Sequence, residues 1–153
     1  MLQHTDVAAD VCSRLAGKLR AIECDAVISP ALGGIVVGQE VGRSSGKRHI
    51  FVEKDAAGGL VLRRGFQIAS NEPFIVIEDV VTRGARVQET VDIVRAYGGN
   101  VVAVGVIVHR SGGNRRDFGY PFVSLVEMNV ETFEADKLPA DLVATPAVKP
   151  GSK

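Results

Sequence analysis

Cysteine, long apolar runs and an excess of either charge are all scarce in this 153-residue chain. Cys12 and Cys24 are the two cysteines. Their spacing matches no metal or redox motif, and two thiols make a poor disulfide framework. We expect both thiols to be reduced and at least partly buried. Reduced thiols favour a cytoplasmic location.

The sequence also has little to attract a membrane or a nucleic acid. No apolar run reaches the roughly 20 residues that a membrane-spanning helix needs, and the amino terminus lacks the pattern of a signal peptide. Lys and Arg together number 18, as do Asp and Glu, so no net charge favours nucleic acid. We expect neither partner, and any anion site must be built from a few local residues.

Helices alternate with short apolar strands along the chain. The length fits one domain over residues 1–153 with a substantial core. The first helix should bury a face made of Val7, Ala8, Val11, Leu15 and Leu19. Helices are predicted over 5–20, 35–44 and 85–97, strands over 25–29, 49–52, 74–77, 101–108 and 122–126, and an antiparallel ribbon from 60–62 and 66–68. This order predicts an α/β fold, a parallel sheet flanked by helices on both faces.

Ligands bind beyond the carboxyl ends of the strands in such sheets. The loops that leave those ends here are 30–34, 78–86 and 109–116, and we expect the functional residues there.

The segment 74–86 has the most informative pattern. Glu78 and Asp79 follow an apolar strand, where two carboxylates are costly unless they meet cations or donors. A turn with Thr82 and Gly84 then opens into a helix, whose free N–H groups and dipole favour an anion. The pattern suits a sugar phosphate, with hydroxyls at the acids and phosphate at the amides. The alternative is a plain helix start capped by Asp79 or Thr82.

The stretch Glu78-Asp-Val-Val-Thr-Arg-Gly84 resembles the signature of type I phosphoribosyltransferases, which bind 5-phosphoribosyl 1-pyrophosphate (PRPP). The resemblance implies a Rossmann-like fold in which Glu78 and Asp79 bind the ribose hydroxyls, directly or through Mg²⁺ and water, with Asp79 catalytic. It implies that a loop holds the 5-phosphate, namely Val80, Val81, Thr82, Arg83, Gly84, Ala85 and Arg86. Arg83, Ala85 and Arg86 depart from the family's small residues. Arg86 either reaches the phosphate or crowds its cradle.

Two further loops resemble parts of the same family. Pro30-Ala-Leu-Gly-Gly-Ile35 is similar to its pyrophosphate loop, in which the amides of Gly33 and Gly34 would approach the diphosphate. Residues 54–60 are predicted as a mobile loop in the position of the family's catalytic loop. The resemblance makes Lys54 the candidate cation that binds PRPP and stabilises the departing pyrophosphate.

The third loop, Val108-His-Arg-Ser-Gly-Gly113, is similar to the branch of the family that uses orotate. Arg110 matches the arginine that pairs with the carboxylate of the base, and the resemblance also places Thr82 near orotate. An arginine that caps the sheet edge is the alternative. His109 departs from the acid common there, and we assign it no catalytic role.

The resemblance implies transfer of the 5-phosphoribosyl group from PRPP to orotate, giving orotidine 5′-phosphate and pyrophosphate in pyrimidine biosynthesis. Mg²⁺ would be bound mainly by PRPP and water rather than by a protein metal site, and a homodimer is expected. The family's amino-terminal hood over the base is expected to be absent or incomplete, as in a short form. The alternatives are transfer to another base, a PRPP-binding regulator without activity, and an inactive truncated homologue.

Overall fold

A six-stranded sheet organises the chain in the computed structural model, which describes residues 2–112, 116–131, 133–134, 136–146 and 148. Residues 113–115 of the third loop, and 149–153 at the end of the chain, lie outside the described residues. In chain order the elements are α1 (Thr5–Leu19), β1 (Ala26–Pro30), α2 (Gly33–Ser45), β2 (Arg48–Lys54), β3 (Leu60–Leu62), β4 (Pro73–Val81), α3 (Ala85–Ala96), β5 (Asn100–His109) and β6 (Phe122–Glu127).

The strand order is β3-β2-β1-β4-β5-β6, and every neighbouring pair is parallel except β2 with β3. After β1 the chain moves outward to β2 on one side, while β4 and the later strands extend the sheet on the other. The carboxyl ends of β1 and β4 therefore flank the point where the direction of winding changes. Open α/β sheets bind their ligands in the crevice at such a point.

Helices cover both faces of the sheet, as predicted. On one face, α3 packs its valines against the sheet in a cluster that includes Val87, Val91, Val94, Phe74, Val76 and Val104. On the other face, α1 and α2 pack together in a second cluster that includes Cys12, Leu15, Leu19, Val37, Val41 and Ile77. Burial of these two apolar layers holds α2 and α3 in place, and the amino-terminal ends of both helices face the crevice edge.

Two boundaries near the crevice differ from the prediction. The strand predicted over 74–77 continues to Val81, because β5 runs beside it and pairs with it as far as Val81 and His109. Glu78 and Asp79 are thus strand residues. Helix α2 begins at Gly33 rather than at residue 35, so both glycines of the predicted turn lie in its first turn.

The predicted ribbon was wrong in its partner. Residues 60–62 pair with β2, in the register Val52 with Leu62 and Lys54 with Leu60, and residues 66–68 form no strand. Pairing of β3 with β2 in a hairpin satisfies the backbone hydrogen bonds of both strands. The local pattern of residues could not distinguish this pairing from the predicted ribbon. In α1, Val7 is 41% exposed and does not join the predicted apolar face.

Cys12 and Cys24 are free and buried, as predicted. Burial raises the pKa of Cys12 to about 11, so this thiol stays protonated and inert. Among the described helices, none is both long and apolar enough to cross a bilayer.

Candidate functional site

The crevice between β1 and β4 brings the two glycines of α2 against the two acids of β4. A Cβ atom on Gly33 would collide with Oδ2 of Asp79, and one on Gly34 would lie 3.0 Å from Oε1 of Glu78. The absence of side chains at these positions allows the carboxylates to touch the start of α2. The start of α2 and the end of β4, which lie more than forty residues apart in sequence, thus meet in one crevice.

The two carboxylates are held by the backbone that follows them. The amide of Asp79 donates to Oε1 of Glu78 at 2.9 Å, and the amide of Val80 donates to Oδ1 of Asp79 at 2.7 Å. Burial, together with a hydrogen bond and charge repulsion from Asp79, raises the pKa of Glu78 to about 8. Glu78 is 9% exposed, whereas Asp79 is more open to solvent. Glu78 therefore holds its proton more tightly than an ordinary glutamate before any ligand binds.

The start of α3 forms the next part of the site. Its N-cap is Gly84, with φ of 77°, and no described side chain caps the helix, so neither Asp79 nor Thr82 has the capping role of the alternative interpretation. A Cβ on Gly84 would lie 2.5 Å from the ring of Phe118, which packs behind the loop. The unpaired amides of the first turn and the helix dipole favour an anion here.

A cavity of about 190 Å³ lies over this helix start and is lined by residues 78–87. It includes both acids, the exposed Thr82 and every predicted residue of the phosphate loop. A larger cavity of about 340 Å³ lies between α1 and α2 and contains none of the predicted site residues. The smaller cavity is therefore the one with the chemistry of a phosphosugar site.

Arg86 lies in the first turn of α3 and is among the residues that line the cavity. Its guanidinium donates to Oε2 of Glu89 at 2.7 Å and to the backbone oxygen of Gly58 at 3.1 Å. The side chain thus connects α3 to the turn between β2 and β3.

That turn replaces the long loop predicted over 54–60. Lys54 and Leu60 are paired strand residues, and the connection is closed by three bonds: the amide of Asp55 to the oxygen of Gly59, the amide of Gly58 to the oxygen of Asp55, and the amide of Gly59 to Oδ1 of Asp55. Lys54 is exposed at the end of β2, at the same sheet edge as the crevice. Arg63 and Arg64 are exposed, and Arg64 pairs with Glu53 at 2.8 Å.

Arg110 begins the loop after β5 and is exposed. Its amide donates to the backbone oxygen of Val81 at 2.9 Å, so it lies beside the residue that precedes Thr82. The structure thereby brings the predicted base-binding arginine next to the phosphate loop. Position 110 belongs to the same edge of the sheet as the two acids.

Curated orotate phosphoribosyltransferases are similar to this chain over its full length. The orotate phosphoribosyltransferase of Sphingopyxis alaskensis is 45% identical over 156 residues, an alignment that covers 100% of this chain and 79% of the relative. The orotate phosphoribosyltransferase of Caldicellulosiruptor bescii is 43% identical over 153 residues, covering 100% of this chain and 80% of the relative. This chain belongs to the orotate phosphoribosyltransferase family. It spans about four-fifths of the length of these relatives.

Solved structures share the fold of this orotate phosphoribosyltransferase family member at low identity. The adenine phosphoribosyltransferase of Thermoanaerobacter pseudethanolicus superposes with a TM-score of 0.74 at 16% identity, covering 83% of this chain and 84% of that one. The orotate phosphoribosyltransferase of Mycobacterium tuberculosis, solved with inorganic phosphate, gives 0.69 at 20% identity, covering 83% and 73%. No protein-family model matches the chain.

Two polar clusters in this family member were not predicted from the sequence. His109 hydrogen-bonds with Ser111 at the end of β5, and its Nδ1 lies 3.3 Å from Oε1 of Glu127. Ser29, buried at the end of β1, bonds to Nε2 of His49 at 2.8 Å. Glu127 lies 18 residues after His109, and His49 lies 20 residues after Ser29, in each case on a neighbouring parallel strand. No local motif therefore indicates these two pairs.

Proposed function

We propose that this chain transfers the 5-phosphoribosyl group of PRPP to orotate, giving orotidine 5′-phosphate and pyrophosphate in pyrimidine biosynthesis. The observation that carries the proposal is the convergence of Glu78, Asp79, the glycines of α2 and the uncapped start of α3 on one crevice. Membership of the orotate phosphoribosyltransferase family supports orotate as the base.

Each part of the crevice suits one part of PRPP. We assign the ribose hydroxyls to Glu78 and Asp79, since carboxylates accept hydroxyl hydrogen bonds. The 5-phosphate would meet the amides of residues 80–86 and the hydroxyl of Thr82 in the cavity over α3. The diphosphate would meet the amides of Gly33 and Gly34 at the start of α2.

Mg²⁺ would enter this site bound to PRPP. Within the described part of the chain, no three His, Cys, Asp or Glu side chains cluster as a metal site. The protein would offer the hard oxygens of Glu78 and Asp79, and PRPP and water would supply the other ligands, which suits an ion that keeps several waters. Bound Mg²⁺ would neutralise charge on the diphosphate.

Two cations are assigned to the reaction itself. Lys54, exposed at the carboxyl end of β2, would stabilise the departing pyrophosphate. Arg110 would pair with the carboxylate of orotate, because its planar fork matches a carboxylate. Its position beside Val81 would bring the base next to Thr82 and the ribose.

The reaction requires little covalent chemistry from the protein. The bond from ribose C1 to the pyrophosphate breaks as the bond to the orotate nitrogen forms, through a state resembling an oxocarbenium ion, and the proton of that nitrogen leaves to water. Charge grows on the diphosphate while the ribose becomes positive. Positioning of the two substrates and stabilisation of these charges by Asp79 and Lys54 would supply most of the rate enhancement.

The substitution Asp79→Asn tests this assignment. It should lower kcat/KM with PRPP by about 100-fold or more, because the side chain loses its charge at the ribose. The free energy of unfolding should change by less than about 1 kcal/mol, since Asp79 is partly open to solvent. Steady-state kinetics with urea unfolding measures both.

Asp92→Asn is the matched control, since Asp92 is an exposed acid further along α3. It should leave the kinetics unchanged. Turnover by Asp79→Asn at the wild-type rate would remove the acidic pair from the site.

The assembly and location are further parts of the proposal. The family resemblance supports a homodimer, in which the β2–β3 turn with Lys54 closes over the site of the partner. The two buried, reduced thiols support a cytoplasmic location.

A further inference from the structure

His109 is the last residue of β5 and stands directly before Arg110. Its side chain is 6% exposed, and both ring nitrogens have partners. Nε2 lies 2.6 Å from Oγ of Ser111, and Nδ1 lies 3.3 Å from Oε1 of Glu127 on β6. One imidazole thus joins the base-side loop to the neighbouring strand.

The partners determine which nitrogen carries the proton in the neutral ring. Glu127 is 73% exposed at its side chain, and its Oε1 lies within ion-pair distance of Nδ1, so this acceptor oxygen favours a proton on that nitrogen. Nε2 then accepts from the hydroxyl of Ser111. This arrangement uses both nitrogens in one orientation of the ring and resists a ring flip.

Backbone hydrogen bonds hold the chain at position 110 and at the residue before it. The oxygen of His109 accepts from the amide of Met128 at 2.8 Å, and the amide of Arg110 donates to Val81 at 2.9 Å. Ser111, the next residue, is held through the imidazole. Arg110 itself is exposed, so its guanidinium is presented from a backbone whose two neighbours are fixed.

Aromatic packing extends this support to the phosphate loop. The imidazole meets the ring of Phe122 edge-on, with centroids 5.2 Å apart. Phe122 stacks on Phe118 at 5.9 Å, and Phe118 packs against Gly84 at the start of α3. A continuous set of packed side chains therefore runs from the base side of the crevice to its phosphate side.

We propose that His109 is a positioning residue for the base: through Ser111, Glu127 and the backbone it fixes Arg110 where the carboxylate of an acidic pyrimidine binds. The inference rests on the proposed function, since it takes orotate as the base and Arg110 as its partner. It assigns no contact between His109 and the substrate.

Steady-state kinetics of the full chain with PRPP, orotate and Mg²⁺ tests the role. His109→Phe keeps an aromatic ring against Phe122 and removes the hydrogen bond to Ser111 and the polar contact with Glu127. It should raise KM for orotate about tenfold and leave KM for PRPP within about twofold. Ser111→Ala, a milder change in a loop, should raise KM for orotate about threefold. His109→Gln places an amide near the position of Nε2 and should recover part of the loss.

A double-mutant cycle separates positioning from general structural damage. In an Arg110→Ala background, His109→Phe should change KM for orotate by less than about twofold, because the arginine that it positions is gone. Equal effects of His109→Phe in both backgrounds would overturn the proposal, as would parallel increases in the KM values of orotate and PRPP. Glu131→Gln, at an exposed acid four residues beyond Glu127, is the control and should match the wild type.

The outcomes also distinguish this inference from the proposed function. A wild-type chain that neither turns over nor binds orotate in the presence of PRPP overturns both. Turnover of orotate by the wild type, with an unchanged KM for orotate in His109→Phe and Ser111→Ala, overturns the positioning role alone.

Discussion

Burial and the neighbouring Asp79 change the chemistry of Glu78. Glu78 is 9% exposed and has a pKa raised to about 8, while Asp79, the next residue, is more exposed. The cost of burying a negative charge beside Asp79 is avoided when Glu78 keeps its proton. In the free protein Glu78 is therefore mostly protonated at neutral pH.

Binding of PRPP with Mg²⁺ should release the proton of Glu78. The cation favours the ionised carboxylate, so affinity should rise with pH up to about 8 and then level off. Calorimetry at pH 7 in buffers of different ionisation enthalpy should detect the release of about one proton. Glu78→Gln should lack this release, while the titration of the phosphates of PRPP is common to both proteins. Equal proton release by the two would contradict the assignment.

Gly33 decides where the carboxylate of Asp79 lies. In Gly33→Ala, the added methyl group would push this carboxylate aside, because Oδ2 occupies the position that the Cβ needs. The end of an aspartate side chain can move at small cost, so the free energy of unfolding should change by less than about 1 kcal/mol. Affinity for PRPP should fall about tenfold or more, as measured by calorimetry.

Gly17→Ala is the matched control, since a Cβ on this helical glycine meets nothing within 4 Å. It should stabilise α1 by about 0.5–1 kcal/mol and leave PRPP binding unchanged. Wild-type affinity in Gly33→Ala would mean that Asp79 does not bind the ligand from this position.

The three described helices all begin without a side-chain cap, α1 after His4, α2 after Leu32 and α3 after Gly84. The starts of α2 and α3 are the two that lie at the crevice. Uncapped helix starts cost stability in an isolated domain, because their amides lack acceptors. The cost is offset when anionic groups of a ligand accept from these amides, which agrees with the diphosphate and phosphate roles proposed for the two helices.

The contact between α2 and β2 involves a partly buried histidine. The ring of His49 lies in the space that a side chain at Gly38 would fill, and its Nε2 bonds to Ser29. Burial lowers the pKa of His49 to about 4. The imidazole is therefore neutral throughout the range in which α2 must hold its glycines in the crevice.

This histidine should make stability depend on pH. Between pH 6.5 and 4 the unfolded chain takes up a proton at His49 that the folded chain refuses, so the free energy of unfolding falls as the pH is lowered. The slope from this residue approaches about 1.4 kcal/mol per pH unit. Urea unfolding at pH 7 and pH 5 should show a smaller loss in His49→Gln than in the wild type. His4→Gln, at an exposed histidine, should behave as the wild type, and the same loss in all three proteins would contradict the argument.

At the level of the whole molecule, the order of the strands brings the site together. β1 and β4 are neighbours, although α2, β2 and β3 lie between them in sequence. This adjacency puts the loop after β1 beside the acids of β4, and the pairing of β5 with β4 puts Arg110 beside Val81. Three segments spread over the chain thus form one crevice.

Much of this arrangement could be predicted from local patterns. The apolar run 74–77, the acids after it and Gly84 were enough to predict the strand and the helix start, and they also predict an anion site between the two. The limits of β4 and the partner of β3 could not be predicted, because strand ends and pairings depend on the neighbour across the sheet rather than on the residues themselves. The same holds for the cluster of His109, Ser111 and Glu127.

The sequence alone determined the class of fold and the kinds of group at the crevice, because apolar periodicity and side-chain chemistry depend only on which residue occupies each position. The tertiary structure decided which groups meet. It turned the guanidinium of Arg86 toward Gly58 and Glu89, put Glu78 where it keeps its proton, and gave His109 partners on β6 and in the following loop. A side chain's burial, protonation and hydrogen-bond partners depend on the residues around it. These neighbours come together only when the strands have paired.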